Sequence, residues 1–90
     1  MGSAGRLSED ERMAKTLRTK GHSALVAILV ACRREAGLNQ RQLAERLKKP
    51  QSYIAKIEAG ERRVDVVEFV AIAKALKLDP RVLFERFLGW

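Results

Sequence analysis

The side chains of this sequence that could perform catalysis form no evident catalytic grouping. Cys32 is the only cysteine and His22 the only histidine, so the chain can neither form an internal disulfide nor supply a set of soft ligands for structural zinc. The acidic candidates for proton transfer are Glu9, Asp10, Glu11, Glu58 and Asp65. No two of them form an evident general acid–base pair. We therefore predict a protein that is not an enzyme and that uses neither a metal nor another cofactor.

An excess of basic side chains is the strongest chemical feature of the chain. Its 90 residues include 18 Lys+Arg and 11 Asp+Glu, with a net charge of +7 and a pI near 10.2. Residues 22–63 hold nine basic and four acidic side chains, whereas residues 64–90 are balanced. This charge favours a polyanionic partner, either nucleic acid or an acidic membrane surface, and does not by itself choose between them.

The longest apolar run does not favour a membrane partner. It extends from Ala24 to Cys32, which is about half the length that a bilayer-spanning helix requires. A signal peptide is not indicated either, because acidic residues 9–11 precede the run and no small-residue cleavage site follows it. We expect a cytoplasmic protein.

The sequence predicts that the candidate binding side chains lie in a helical domain. Residues 1–21 contain little apolar material and are predicted to form a flexible, basic N-terminal arm. Residues 22–90 are predicted to form the folded domain, with a first helix capped by Ser23. His22 would then precede this helix, at the surface or as part of the cap, and Cys32 would lie on its apolar stripe as a small core residue.

Caps and breakers divide the rest of the domain into four further helices, without a strand signal. The predicted signals are Asn39 with Gln42 and Asp65 with Glu68 at capping-box spacing, Gly37 and Gly60 as helix stops, Pro50 at the start of the third helix and Asp79–Pro80 at the start of the fifth. In the fourth helix, an apolar stripe is expected at Val66, Phe69, Val70, Ala73 and Leu76. The predicted fold is therefore all-α, with five helices in one compact domain.

Residues 37–60 have the pattern of a helix-turn-helix, in which two short helices are joined by a tight turn. The side chains predicted to hold the two helices together are Leu43, Ala44, Leu47, Ile54 and Ile57. The segments Gly37-Leu38-Asn39-Gln40, Leu43-Ala44, Gln51-Ser52-Tyr53-Ile54 and Ile57-Glu58-Ala59-Gly60, with Arg33 and a following basic pair, occur in order. In these segments the chain resembles the lambda-repressor-like Xre/Cro family of helix-turn-helix DNA-binding proteins, over roughly residues 22–88.

The resemblance implies which side chains read DNA bases. Gln51, Ser52 and Lys56 match positions that the family's third helix presents to the major groove, and Tyr53 and Ala55 border that face. Glutamine can bind adenine bidentately, lysine can donate to guanine, and serine can serve a base or a phosphate. An ordinary solvated helix face is the alternative interpretation of the three polar residues.

The resemblance also implies phosphate contacts and a scaffolding ion pair. Gln40, at the start of the second helix, and Arg62 and Arg63, after Gly60, match phosphate-contacting positions. An ordinary charged loop is the alternative interpretation of the two arginines. Arg33 and Glu58 match an ion pair that joins the first helix to the third.

One position departs from the family pattern. Lys48 occupies the first turn residue, where many members have glycine, and a left-handed backbone there would cost about 1 kcal/mol or more. Either Pro50 gives the turn a different form or Lys48 adopts the strained conformation.

These features together predict a sequence-specific regulator that binds double-stranded DNA, most simply a repressor that occupies a palindromic operator as a homodimer. The predicted dimer surface combines apolar residues of the C-terminal segment and the first helix, and internal packing is the alternative role for them. These residues are Phe84, Phe87, Leu88 and Trp90, with Val26 and Val30. The rival hypothesis is a protein-binding module, such as an antitoxin or anti-activator, that uses the same fold.

Overall fold

Five α-helices account for most of residues 19–90, which are the residues that the computed structural model describes. They are α1 (Lys20–Glu35), α2 (Gln40–Arg46), α3 (Gln51–Glu58), α4 (Val66–Ala75) and α5 (Pro80–Leu88). This range contains no strand, so the predicted all-α, five-helix class is confirmed. Most of the predicted N-terminal arm, residues 1–18, lies outside the described residues.

Two helices begin at the predicted capping boxes. The Asn39 side chain accepts a hydrogen bond from the backbone N–H of Gln42, and the Gln42 side chain accepts one from Asn39, both at 2.8 Å. Asp65 and Glu68 make the same reciprocal pair at the start of α4, at 2.7 and 3.0 Å. These local bonds satisfy N–H groups that lack intrahelical acceptors, which explains why the sequence predicts both starts correctly.

The start of α1 differs from the prediction. Thr19, not Ser23, is the N-cap, and its hydroxyl accepts from the backbone N–H of His22 at 3.2 Å. The helix therefore begins three residues before Ser23, and His22 lies inside its first turn with 7% of its surface exposed. The prediction of a surface histidine is wrong because threonine is also a favourable N-cap residue and extends the helix towards the N-terminus.

Helices α1 to α4 end in the same way, with a left-handed residue directly after the C-cap. Gly37 and Gly60 occupy this position after α1 and α3, with φ of 74° and 76°, as predicted. Lys48 and Lys77 occupy it after α2 and α4, with φ of 56° and 60°. Of the two turn forms considered for Lys48, the structure has the strained one, at a cost of about 1 kcal/mol relative to glycine.

The core lies where the five helices meet. Its buried side chains are Leu29, Cys32, Leu43, Ala44, Ile54, Ile57, Ile72, Ala73, Leu76 and Leu83. Cys32 is thus a core residue, as predicted, and Ala44 leaves room for the close approach of α2 and α3. The expected stripe of α4 is wrong at Val66, which is 77% exposed and lines a surface groove at the first turn of the helix.

Candidate nucleic-acid interface

Helices α2 and α3 form the predicted helix-turn-helix, joined by residues 47–50. Leu43 and Ala44 of α2 and Ile54 and Ile57 of α3 are buried between them. Helix α1 packs against α3 and α5, and α4 packs against α5. The apolar side of α3 is therefore used for packing, and its opposite side is left for other contacts.

The exposed side of α3 carries the three predicted base-reading residues. Gln51, Ser52 and Lys56 are all exposed, and the smaller Ala55 beside them is half-buried. Residues four apart lie on the same side of a helix, so the pairs 51/55 and 52/56 form one continuous face. The structure thus brings together an amide, a hydroxyl and an ammonium group, all of which can bond to base edges in a major groove.

Gln40 lies next to this face and is linked to it. Its side-chain amide donates to Glu58 Oε1 at 2.9 Å, and the Nε2 atom of Gln51 lies 3.5 Å from Gln40 Oε1. The predicted phosphate-contacting glutamine is therefore held between a carboxylate of α3 and the first base-reading candidate. The sequence does not indicate the contact with Glu58, because the two residues belong to different helices.

Arg33 and Glu58 form an ion pair that is almost enclosed by protein. Arg33 Nε lies 2.6 Å from Glu58 Oε2 and Nη2 lies 3.0 Å from Oε1, while Nη1 donates to the backbone carbonyl of Leu38 at 2.7 Å. Only 10% of the Arg33 side chain and 9% of the Glu58 side chain are exposed. The hydrogen bond to Glu58 raises the pKa of Arg33 above its ordinary value despite the opposing effect of burial. This forked pair joins α1 to α3.

Arg62 follows α3 and forms a cluster with Tyr53 and Glu68. Its guanidinium lies 4.8 Å from the centre of the Tyr53 ring, and its Nη2 donates to Glu68 Oε2 at 2.6 Å. The ammonium group of Lys49 also lies near this ring, at 5.3 Å. Burial, followed by a hydrogen bond to Glu68, raises the pKa of Tyr53.

Glu68 is the functional candidate that the sequence interpretation missed. Its spacing from Asp65 indicates only a helix cap, and nothing in the sequence indicates that Arg62 also binds it. Burial favours its neutral form, but hydrogen bonds from the Asp65 backbone and Tyr53, together with the charge of Arg62, lower the pKa of Glu68. Glu68 is therefore ionised under ordinary conditions.

Arg63 is exposed in the same loop. Burial and, secondarily, the charge of Arg63 lower the pKa of His22. Of the three predicted phosphate-contacting residues, Gln40 is thus the first residue of α2, and Arg62 and Arg63 lie in the loop that follows α3.

A second surface feature is an apolar groove of about 550 Å³ formed by α1, α4, α5 and the loop before α4. Its apolar lining includes Leu25, Val64, Phe69, Phe84 and Phe87. Nearby apolar side chains of the C-terminal segment remain exposed: Phe84 by 48%, Leu88 by 65% and Trp90 by 61%. Val26 and Val30 of α1 are half-buried. Internal packing therefore covers only part of the apolar C-terminal segment.

The fold and the exposed face of α3 define a helix-turn-helix domain of the Xre/Cro type, a class of DNA-binding regulators. A family model described as helix-turn-helix matches residues 29–83, and the chain belongs to this family. Comparison with curated proteins gave no match. No helix of residues 19–90 is long and apolar enough to cross a membrane.

Solved structures of similar sequence share this fold. An XRE-family-like protein from Pseudomonas syringae pv. tomato is 37% identical, with a TM-score of 0.75 over 84% of this chain and 93% of that one. The restriction-modification controller protein C.AhdI from Aeromonas hydrophila is 33% identical, with a TM-score of 0.62 over 73% of this chain and 100% of that one. The controller protein C.Esp1396I is 25% identical, with a TM-score of 0.74 over 80% of this chain and 95% of that one, in a tetrameric complex with its natural 35 base-pair operator.

Proposed function

We propose that this protein is a transcriptional repressor that acts by occupying a specific double-stranded DNA operator. The observation that carries the proposal is the exposed face of α3, where Gln51, Ser52 and Lys56 stand together while the opposite face is buried. A helix of this length fits the major groove, and these side chains can discriminate base edges there. The function requires no catalysis and no cofactor.

Phosphate contacts on both sides of α3 would set its orientation on the duplex. Gln40 precedes it along the chain, and Arg62 and Arg63 follow it. Contacts of this kind fix register without reading sequence. Together with the net charge of +7, they would bring the protein to any duplex, so that α3 alone supplies the preference for a sequence.

A homodimer on a palindromic operator is the second part of the proposal. One recognition helix reads only a few base pairs, and a two-fold dimer places two such helices about 34 Å apart, one turn of B-DNA. The apolar groove and the exposed residues Phe84, Leu88 and Trp90 would be buried between the two copies. The operator-bound C.Esp1396I tetramer supports an assembly of this kind.

Selection of binding sites from random duplexes tests the base-reading assignment. Gln51→Ala or Lys56→Ala should lose about 1–3 kcal/mol on the selected site and relax the preference at one or two positions. Lys74→Ala is the control, because it removes the same charge from an exposed position of α4. Equal losses of Lys56→Ala on selected and random duplexes would reject the assignment.

Sedimentation equilibrium tests the dimer. A chain that lacks residues 87–90 should sediment as a folded monomer that retains non-specific DNA binding and loses cooperative occupancy of a palindromic site. A full-length protein that stays monomeric at hundreds of micromolar without DNA would reject a strong interface. A one-to-one complex with another protein, without DNA affinity, would support the rival function of a protein-binding module.

A further inference from the structure

We propose that Glu68 of α4 is a positioning residue for DNA binding, because it holds the guanidinium of Arg62 across the ring of Tyr53. The inference rests on the proposed function, since Arg62 and Tyr53 are candidates for contact with DNA. Glu68 itself lies in the first turn of α4 and belongs to neither helix of the helix-turn-helix.

The contacts of Arg62 show how its position is determined. Nη1 donates to the backbone carbonyl of Arg63 at 3.0 Å and lies 3.3 Å from Glu68 Oε1, while Nη2 donates to Glu68 Oε2 at 2.6 Å. The guanidinium carbon also lies over the Tyr53 ring, 4.8 Å from its centre. A guanidinium has five N–H groups, so two remain for the oxygens of a phosphate. Its fork is therefore ordered before DNA arrives, which reduces the entropy lost on binding.

The capping role of Glu68 does not explain why this residue carries a charge. In α2 the equivalent position of the capping box is Gln42, an uncharged amide that accepts the same backbone hydrogen bond. Glutamine and glutamate serve equally as the third residue of such a box. The negative charge of Glu68 lies in the first turn of α4, where the helix dipole favours it, and it also meets Arg62. The Glu68 side chain is only 19% exposed.

The charge of Glu68 and its contact with Arg62 predict opposite effects on DNA binding when this carboxylate is neutralised. Glu68 repels DNA as a charge, so neutralising it would strengthen binding if its charge alone mattered. If Glu68 positions Arg62, neutralising it frees the guanidinium and weakens binding. Glu68→Gln separates the two effects because it keeps the capping box and loses the forked ion pair.

The first experiment uses the free protein. Tyr53 is the only tyrosine, so the ultraviolet absorbance of tyrosinate reports its titration alone. Because the hydrogen bond to Glu68 contributes to the raised pKa of Tyr53, Glu68→Gln should lower that pKa towards the ordinary value. An unchanged titration would overturn the proposal, because the cluster would then not exist in solution.

The second experiment measures affinity for the selected duplex. Glu68→Gln should bind about 3- to 10-fold more weakly than wild type, as expected when one side chain must be ordered on binding. Glu35→Gln is the matched control, since it neutralises an exposed carboxylate that lies 3.4 Å from Arg86. It should bind no more weakly than wild type. Binding by Glu68→Gln as tight as that of the control would overturn the proposal.

A second variant keeps the test valid if Glu68→Gln melts at a much lower temperature than wild type. Arg62→Lys retains the charge and loses the planar fork that matches a carboxylate, and it should weaken binding to a similar extent. Unchanged binding by Arg62→Lys would overturn the proposal. Absence of any preferred duplex for the wild type would reject the proposed function instead, and the titration of Tyr53 would still decide whether Glu68 holds the cluster.

Discussion

Removal of the Glu58 carboxylate should destabilise the domain more than any single exposed substitution. Glu58 accepts hydrogen bonds from Arg33 Nε and Nη2 and from the Gln40 amide, at 2.6, 3.0 and 2.9 Å. Glu58→Ala leaves the Arg33 guanidinium enclosed, with only the Leu38 carbonyl as its acceptor. Breaking an ion pair that is about nine-tenths buried costs about 3–5 kcal/mol, because the remaining charge stays desolvated.

This loss is large in relation to the total stability of a small domain. At about 0.05–0.15 kcal/mol per residue, the described residues are stabilised by roughly 4–11 kcal/mol. Each kcal/mol corresponds to about 4–8 °C in melting temperature for a domain of this size. Glu58→Ala should therefore melt at least about 12 °C below wild type, or fail to fold at 37 °C.

Urea denaturation and thermal melting followed by far-UV circular dichroism measure the effect. Glu35→Ala is the matched control, because its ion pair with Arg86 is exposed, and it should melt close to wild type. The double variant Arg33→Met/Glu58→Leu should recover much of the loss, since apolar replacement leaves no enclosed charge. A melting temperature of Glu58→Ala equal to that of wild type would refute the reasoning.

Three further predictions concern backbone strain, pH and salt. Lys48→Gly and Lys77→Gly should each raise the unfolding free energy by up to about 1 kcal/mol in urea titrations, because glycine relieves the left-handed strain; a loss of stability in both would contradict the assigned strain. Because burial lowers the pKa of His22, the unfolded chain binds more protons than the folded one below about pH 6.5, and the unfolding free energy should fall as pH drops from 7 towards 5.5. His22→Leu should remove this dependence on pH. Parallel plots of unfolding free energy against pH for the variant and wild type would contradict the assignment. Arg63→Ala should weaken binding to all duplexes alike and reduce the slope of log K against log salt by about 1, whereas an unchanged slope would show that Arg63 meets no phosphate.

Local signals in the sequence determined most of the helix boundaries. Asn39 with Gln42 and Asp65 with Glu68 predict two helix starts correctly, because a capping box involves only residues three apart. Gly37 predicts the end of α1 in the same way, since a left-handed residue there closes the helix with bonds to its own last turn. Thr19 was missed because Ser23 carries an equally suitable hydroxyl, and propensity alone does not choose between them.

The sequence also determined the family, and with it the residues that face outward from α3. Gln51, Ser52 and Lys56 could be selected because the helix-turn-helix pattern and the helical period together predict which side of α3 is buried. Their role in reading bases stays a prediction. The exposure of Phe84 and Trp90 was likewise predictable, since one short helix cannot turn so many apolar side chains towards its own core.

Only the tertiary structure decided how the site is held together. Glu58 meets Arg33 and Gln40 across 25 and 18 residues of sequence, and no local pattern indicates that Gln40 is a third member of the ion pair. Glu68 shows the same limit: its sequence spacing indicates a helix cap, but its contact with Arg62 exists because α4 returns beside the loop that follows α3. Caps and helical periods are properties of adjacent residues, and the sequence determines them directly. The orientation of a side chain at a binding face depends on which distant segment packs against it, and this is decided only when the chain folds.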